Sequence, residues 1–161
     1  FGSANKHFFS KVNVSNNNIF RIRGEEKPEI EASNYTELLK TKTETIKNIP
    51  SLDLCLLGIG GDGHTASIFP HELKKLSDKT DCVVGINPES GQKRVSLSIK
   101  QINNSKEVIF HVCGSGKKDV VDMIISKRDN YLDLPASHIL PNSKNLSWYL
   151  DFDSAETFMG T

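Results

Sequence analysis

Between Leu52 and Pro70 the chain reads LDLCLLGIGGDGHTASIFP. Two side chains in this stretch are equipped for chemistry, the imidazole of His64 and the carboxylate of Asp62, and they sit among Gly58, Gly60, Gly61 and Gly63. Glycines at that density let backbone approach a ligand closely and free amides to point at it, here as candidate donors to a developing oxyanion. Histidine is the side chain best matched to proton transfer near neutral pH. Asp62, two residues earlier, is placed to orient the ring or to hold a substrate hydroxyl. The ordinary alternative is an Asp-Gly turn with His64 as a cap.

The same glycines spell G-x-G-x-x-G after an apolar run, the pattern of a dinucleotide-binding loop. That reading needs a long helix directly after the glycines and an acidic residue about 20 positions on, at the end of a strand. Pro70 stops any helix within two turns, and Asp78 and Asp81 precede the next apolar run instead of ending one. Proton transfer at His64 is the stronger reading. Ser67 lacks the G-x-S-x-G elbow of a serine nucleophile and reads as a local hydrogen-bonding or packing residue. Asp62, His64 and His71 match no zinc-ligand spacing. His7, His111 and His138 read as surface, strand and loop residues. Farther along, CGSGKKDVV sets Lys117 beside Gly114 and Gly116 where a strand turns into a helix, a setting that attracts anions. Lys118 reads as its solvent-facing neighbour, and Arg94 lies on the polar side of RVSLSIK.

These residues need elements to hold them. From Glu31, the apolar positions Ala32, Tyr35, Leu38, Leu39, Ile46 and Ile49 predict a helix of about four turns ended by Pro50. LDLCLLGIG predicts a parallel strand covered on both faces. HTASIF predicts a short helix whose positive end would disfavour the imidazolium of His64. CVVGI predicts a strand, and RVSLSIK alternates Val95, Leu97 and Ile99 with polar residues, the period of a half-buried strand. EVIFHVCG predicts another, followed by a helix with Val120, Val121, Ile124 and Ile125 on one face. The end, LSWYLDFDSAETF, predicts a strand and then a helix capped by Asp151 or Asp153. The opening holds a turn at Asn16 to Asn18 and a short apolar segment, Ile19 to Ile22. Helices feeding buried strands give an α/β layer fold.

The 161 residues are a one-domain length, 1–161, with no linker or repeat. Twenty basic and twenty acidic side chains cancel, so no overall field draws the chain to nucleic acid or membrane. Cys55, Cys82 and Cys113 lie in apolar runs without C-x-x-C spacing and read as buried, reduced thiols. No apolar run reaches the roughly 18 residues of a membrane span, and the opening lacks the order of a signal peptide, so a cytoplasmic location is expected. The first residue is Phe, which suggests a fragment or a processed product.

LDLCLLGIGGDGHTASIFP resembles the central signature of the 6-phosphogluconolactonase family, D-[LV]-x-L-L-G-[IM]-G-x-D-G-H-T-A-S-[LI]-F-P. The related glucosamine-6-phosphate deaminases share D-G-H but continue toward F-N-E-P, whereas Thr65 to Pro70 follow the lactonase branch. KRVSLSIKQINNSKEVIFHVCGSGK is similar to the family's R-[IV]-[TS]-L-[TS] strand and to the next strand ending in G-x-x-K, carried by Gly114 and Lys117. LPASHILPNSKNLSWYLDFDSA resembles the closing P-A stretch and L-x-W-x-x-D-x-x-A, carried by Pro135, Ala136, Leu146, Trp148, Asp151 and Ser154-Ala155. The opening SANKHFFSKVNVSNNNIFRIRGE is like the segment that starts with the family's S-N pair. The family's S-G-G loop and D-E-R strand end, which precede that segment, do not occur here, so the resemblance implies the C-terminal two-thirds of one family domain.

The resemblance implies a Rossmann-like three-layer sandwich with a mostly parallel sheet flanked by helices. It implies hydrolysis of 6-phospho-D-glucono-1,5-lactone to 6-phospho-D-gluconate in the oxidative pentose phosphate pathway, with no metal and no cofactor. His64 is then the base that activates water, Asp62 its companion, and Gly60, Gly61, Gly63, Arg94 and Lys117 the substrate-binding set. The alternatives are a noncatalytic sugar-phosphate-binding remnant and a glucosamine-6-phosphate deaminase-type isomerase.

Overall fold

In the computed structural model, which describes residues 1–76 and 79–157, the apolar run at Cys55 forms the strand that leads into the His64 loop. In chain order the helices are α1 (Gly2–His7), α2 (Pro28–Lys42), α3 (Leu73–Leu76), α4 (Ile99–Asn103) and α5 (Lys118–Ile125). The strands are β1 (Glu44–Ile46), β2 (Ile49–Ser51), β3 (Cys55–Leu57), β4 (Val83–Ile86), β5 (Lys93–Ser96), β6 (Val108–Val112) and β7 (Leu146–Leu150). β3, β6 and β7 form a parallel sheet in that order, with Leu57 beside Phe110 and Phe110 beside Trp148. The Phe110 and Trp148 rings stack with centroids 4.1 Å apart.

Parallel neighbours must be joined by crossovers, and the crossover helices bring the apolar faces that cover the sheet. Ile99 and Ile102 of α4, and Val120, Val121 and Ile124 of α5, join Cys55, Leu57, Val108, Phe110 and Val112 in one core. Antiparallel pairs β1–β2 and β4–β5 stand beside this unit, and α2 packs its Ala32 and Leu39 toward Cys82. The expected α/β, Rossmann-like class with a mostly parallel sheet and flanking helices is the class observed.

Several local expectations change. The helix over Glu31 to Ile49 is shorter at its C-terminus and earlier at its start. It opens with Pro28 in its first turn and ends at Lys42, where the Thr43 hydroxyl and N–H both donate to Leu39 O. Ile46 and Ile49 face each other across a hairpin, because Lys47 and Asn48 both take left-handed backbone angles, as a tight two-residue turn between strands demands. RVSLSIK is a strand only to Ser96. Ser98 caps α4 reciprocally with Gln101, so Ile99 begins a helix instead of ending a strand. After β7, residues 152–157 form turns instead of the expected helix, and the end of that stretch, from Phe158, lies outside the described residues. Asp78 also lies outside them.

β3 was expected to be covered on both faces, yet it alternates: Cys55 and Leu57 are buried while Leu56 is 66% exposed. Within the described residues one face of this strand packs and the other is open. All three cysteines are free thiols. Cys55 and Cys82 are buried, and burial pushes the Cys55 thiol up to about 11 and raises that of Cys82 as well. Cys113, expected to be buried, is exposed just beyond β6. Among the described residues no helix is long and apolar enough to cross a membrane.

Candidate active site

Beyond Leu57 the chain turns back on itself. Gly60 N–H donates to His64 O at 2.8 Å, Gly63 N–H donates to Gly60 O at 3.0 Å, and the Thr65 hydroxyl donates to Gly58 O at 2.9 Å. Thr65 and Ile68 then form an isolated antiparallel bridge, with Ala66 between them at φ 51°. That left-handed residue and the bridge replace the short helix expected over HTASIF. No helix terminus therefore stands at His64 to tune it.

The control on the ring is instead Asp62. Its Oδ1 lies 2.6 Å from His64 Nδ1 and 3.2 Å from the His64 backbone nitrogen. A carboxylate at that distance assigns the proton to Nδ1 and leaves Nε2 as the nitrogen able to take a proton. Partial burial opposes ionisation of Asp62 most strongly of any single influence, yet the hydrogen bonds and charge of His64 together outweigh it and hold the carboxyl below its ordinary value. The ring rests on Phe69, with centroids 4.7 Å apart, and Phe69 in turn meets His71 at 6.0 Å. His64 lines an open groove of about 570 Å³ with Ile22, Leu56, Ser67 and Leu97.

The glycines serve different ends. A Cβ on Gly60 would overlap the His64 imidazole and lie 2.5 Å from Asp62 Oδ1, so the absence of a side chain there makes the space that the pair occupies. Gly63 has φ +79° and packs on Leu134, and its carbonyl accepts from Ala136 N–H at 3.0 Å, which draws the Pro135–Ala136 stretch against the loop. The amides of Gly60 and Gly63 are thus engaged within the loop and are not free oxyanion donors, contrary to expectation. Gly61 N–H has no acceptor among the described residues.

Gly61 also faces the turn after β6. A Cβ placed on it would lie 3.4 Å from Gly116 O and 4.0 Å from Lys117 Nζ. The fold therefore brings Lys117, 56 positions beyond Gly61 in the sequence, to the glycine loop. Lys118 pairs with Glu156 at 2.9 Å and takes a separate course. Arg94 donates from Nε to Gln92 Oε1 at 3.2 Å. It lines a neighbouring depression of about 530 Å³ with Arg21, Arg23 and Ser67, and not the groove that His64 lines, although Ile22, Ser67 and Val95 border both.

Residues outside the glycine loop hold it in place. Gly85 in β4 lies so close to the Ser67 carbonyl that any side chain there would overlap it. Ser96 Oγ accepts from Ser67 N–H at 3.0 Å. Glu72, buried just after the loop, accepts from Ile86 N–H at 2.7 Å and ties the exit of the loop to the same strand. Two sequence signals mark this support: Ser96 at the [TS] position of RVSLS, and Gly85, a glycine inside a strand pattern, which marks close backbone approach.

Comparison with known proteins places these features in a family. The family model for glucosamine-6-phosphate isomerases/6-phosphogluconolactonase matches residues 1–148. The 6-phosphogluconolactonase of Aggregatibacter actinomycetemcomitans is 33% identical over 156 residues, covering 97% of this chain and 65% of that protein. That of Haemophilus influenzae is 35% identical over 153 residues, covering 94% and 63%. The crystal structure of devB protein superposes with a TM-score of 0.88 at 38% identity, covering 97% of this chain and 65% of that one. The chain thus spans just under two-thirds of the length of these relatives. It belongs to the glucosamine-6-phosphate isomerase/6-phosphogluconolactonase family.

Proposed function

We propose that this chain carries the proton-transfer site of a 6-phosphogluconolactonase, which opens 6-phospho-D-glucono-1,5-lactone to 6-phospho-D-gluconate within the oxidative pentose phosphate pathway. The observation that carries the reading is the 2.6 Å contact between Asp62 Oδ1 and His64 Nδ1 at the edge of an open groove. A δ-lactone is an activated ester, so its hydrolysis needs a base for water, a donor for the carbonyl oxygen and a proton for the leaving ring oxygen.

His64 Nε2 takes a proton as water adds to the lactone carbonyl carbon, and Asp62 steadies the imidazolium that results. The Gly61 amide is the loop donor left for the oxyanion. When the carbon–ring oxygen bond breaks, the proton on His64 passes to that oxygen, and a hydroxy acid leaves with water incorporated. Base and acid are one residue, so no covalent intermediate is required. Lys117, beside Gly61, receives the phosphate, and Arg94 adds positive charge at the adjoining depression. The substrate is a small phosphorylated sugar ester.

The test is proton release from freshly prepared lactone in weak buffer, with the wild-type chain and His64→Ala. A fall of about 10²-fold or more is expected for the variant, the usual contribution of a positioned base. Equal rates would remove His64 from the mechanism. Ammonia release from glucosamine 6-phosphate, measured alongside, would favour the deaminase-type reading instead.

A further inference from the structure

The phosphate assignment depends on where the turn after β6 holds Lys117, and one carboxylate outside the motif loop governs that turn. We infer that Asp151 is a positioning residue for phosphate binding: by taking the Gly114 amide it fixes the Gly114 to Lys117 turn against Gly61. This rests on the reading of Lys117 as the phosphate cation.

The geometry is that of a clamp. Asp151 follows β7 directly, and its two oxygens accept from Gly114 N–H at 2.9 and 3.1 Å. Oδ1 also accepts from Ser154 N–H at 2.9 Å. Ser154 is fully buried, and its hydroxyl donates to Val112 O, the last residue of β6, at 3.2 Å. Asp151 N–H reaches the same carbonyl at 3.3 Å. The start of the turn is therefore tied to the end of the neighbouring strand through one carboxylate and one hydroxyl. Gly114 sits at φ +94°, an angle that few residues other than glycine adopt, and Lys117 N–H closes the turn on Gly114 O at 3.1 Å.

The hydrogen bonds from Ser154 and Gly114 outweigh the opposing effect of desolvation and hold the Asp151 carboxyl below its ordinary range, so it accepts from Gly114 N–H as the carboxylate. The Gly114 amide, which sequence reasoning would offer to the phosphate, is withdrawn from that role. The Ser115 and Gly116 amides, which have no acceptor among the described residues, and Lys117 Nζ remain.

Inorganic phosphate binding to the whole chain, measured by titration calorimetry, tests this apart from catalysis. Lys117→Ala should weaken phosphate by about tenfold, the size of one lost charge-assisted hydrogen bond. Asp151→Ala should weaken it by about as much, and Asp151→Asn, which keeps an acceptor oxygen for Gly114, should recover most of the loss. Because Asp151 acts through Lys117, the double variant should bind scarcely more weakly than Lys117→Ala alone. In turnover, Asp151→Ala should raise KM for the phosphorylated lactone more than it lowers kcat, and Asp151→Asn should move KM much less. Phosphate affinity within twofold of wild type in both Asp151 variants overturns the inference, as does full additivity in the double variant. If Lys117→Ala itself leaves phosphate binding intact, the failure lies in the phosphate reading of Lys117, and the inference falls with it.

Discussion

Gly60→Ala isolates the placement of the His64 ring from every other property of the loop. Gly60 does not have a left-handed φ, so alanine meets no backbone penalty there. The only obstruction is spatial: the new methyl would overlap the imidazole and stand 2.5 Å from Asp62 Oδ1. Ordinary contact begins near 3.4 Å. The carboxylate must therefore retreat by about 1 Å and the ring by more, and both can do so, because the side chains of His64 and Asp62 are 29% and 45% exposed. A displacement of about 1 Å at a reacting group costs about 10²-fold in rate, or about 2.7 kcal/mol of barrier.

The expected outcome is thus a loss of about 10²-fold in kcat for lactone hydrolysis with a change in stability below about 1 kcal/mol. Initial rates from proton release, paired with thermal melts of the same preparations, give both numbers. A variant that keeps its rate within twofold would refute the claim that Gly60 exists to seat the Asp62–His64 pair. A variant that loses most of its stability would refute the claim that the ring can yield outward.

Other outcomes follow from the same contacts. Asp62→Asn should lower kcat by about 10²-fold, since the amide cannot stabilise the imidazolium as a carboxylate does. Because the folded-state carboxyl lies below its unfolded value near 3.8, its stabilising effect is complete above that pH and is lost as pH falls through the lower folded value. The part of the melting-temperature difference between wild type and Asp62→Asn that comes from this carboxylate should therefore persist above about pH 4 and vanish in more acid solution. Gly85→Ala should cost about 1–3 kcal/mol and depress activity with it, since a methyl there meets the Ser67 carbonyl, which is main chain and cannot swing aside. A thiol reagent should titrate Cys113 in the native chain and all three cysteines only after denaturation; rapid reaction of Cys55 would contradict its burial. Leu57→Ala should cost about 2–5 kcal/mol and Leu56→Ala no more than about 0.5 kcal/mol, and similar losses would mean that the alternation of β3 is wrong.

What the sequence made legible was contact carried by local spacing. Asp62 and His64 lie two residues apart among glycines, and their contact needs nothing from elsewhere in the chain. The turn bearing Lys117 was likewise marked by its flanking glycines. Harder to read were features decided by distant partners. Ile46 and Ile49 continue the helical spacing of α2, but the left-handed pair Lys47 and Asn48 sends them into a hairpin. Ile99 continues the strand alternation of β5, but the reciprocal cap between Ser98 and Gln101 wins. The run at Leu54 to Leu57 looks doubly buried because nothing in its composition distinguishes the face that α4 and α5 cover from the one they do not. The engagement of the Gly60, Gly63 and Gly114 amides was invisible, since a motif shows which residues are near and not which hydrogen bonds they have already made.

The helix that failed to form at His64 bears on the chemistry. A helix N-terminus directed at the imidazole would keep it neutral in the resting state, but it would also oppose the positive charge that develops as water loses its proton. The turn built by Ala66 and the Thr65–Ile68 bridge removes that opposition. A carboxylate partner works in the reverse sense: bonded to Nδ1, it fixes the tautomer before reaction and gains interaction energy as Nε2 is protonated. That gain arises on the way to the transition state, which is where an interaction must strengthen if it is to accelerate a step. A left-handed alanine and a two-residue bridge thus suit the role proposed for His64, a base that becomes a cation and then gives its proton up, and a regular helical turn in the same place would suit it less.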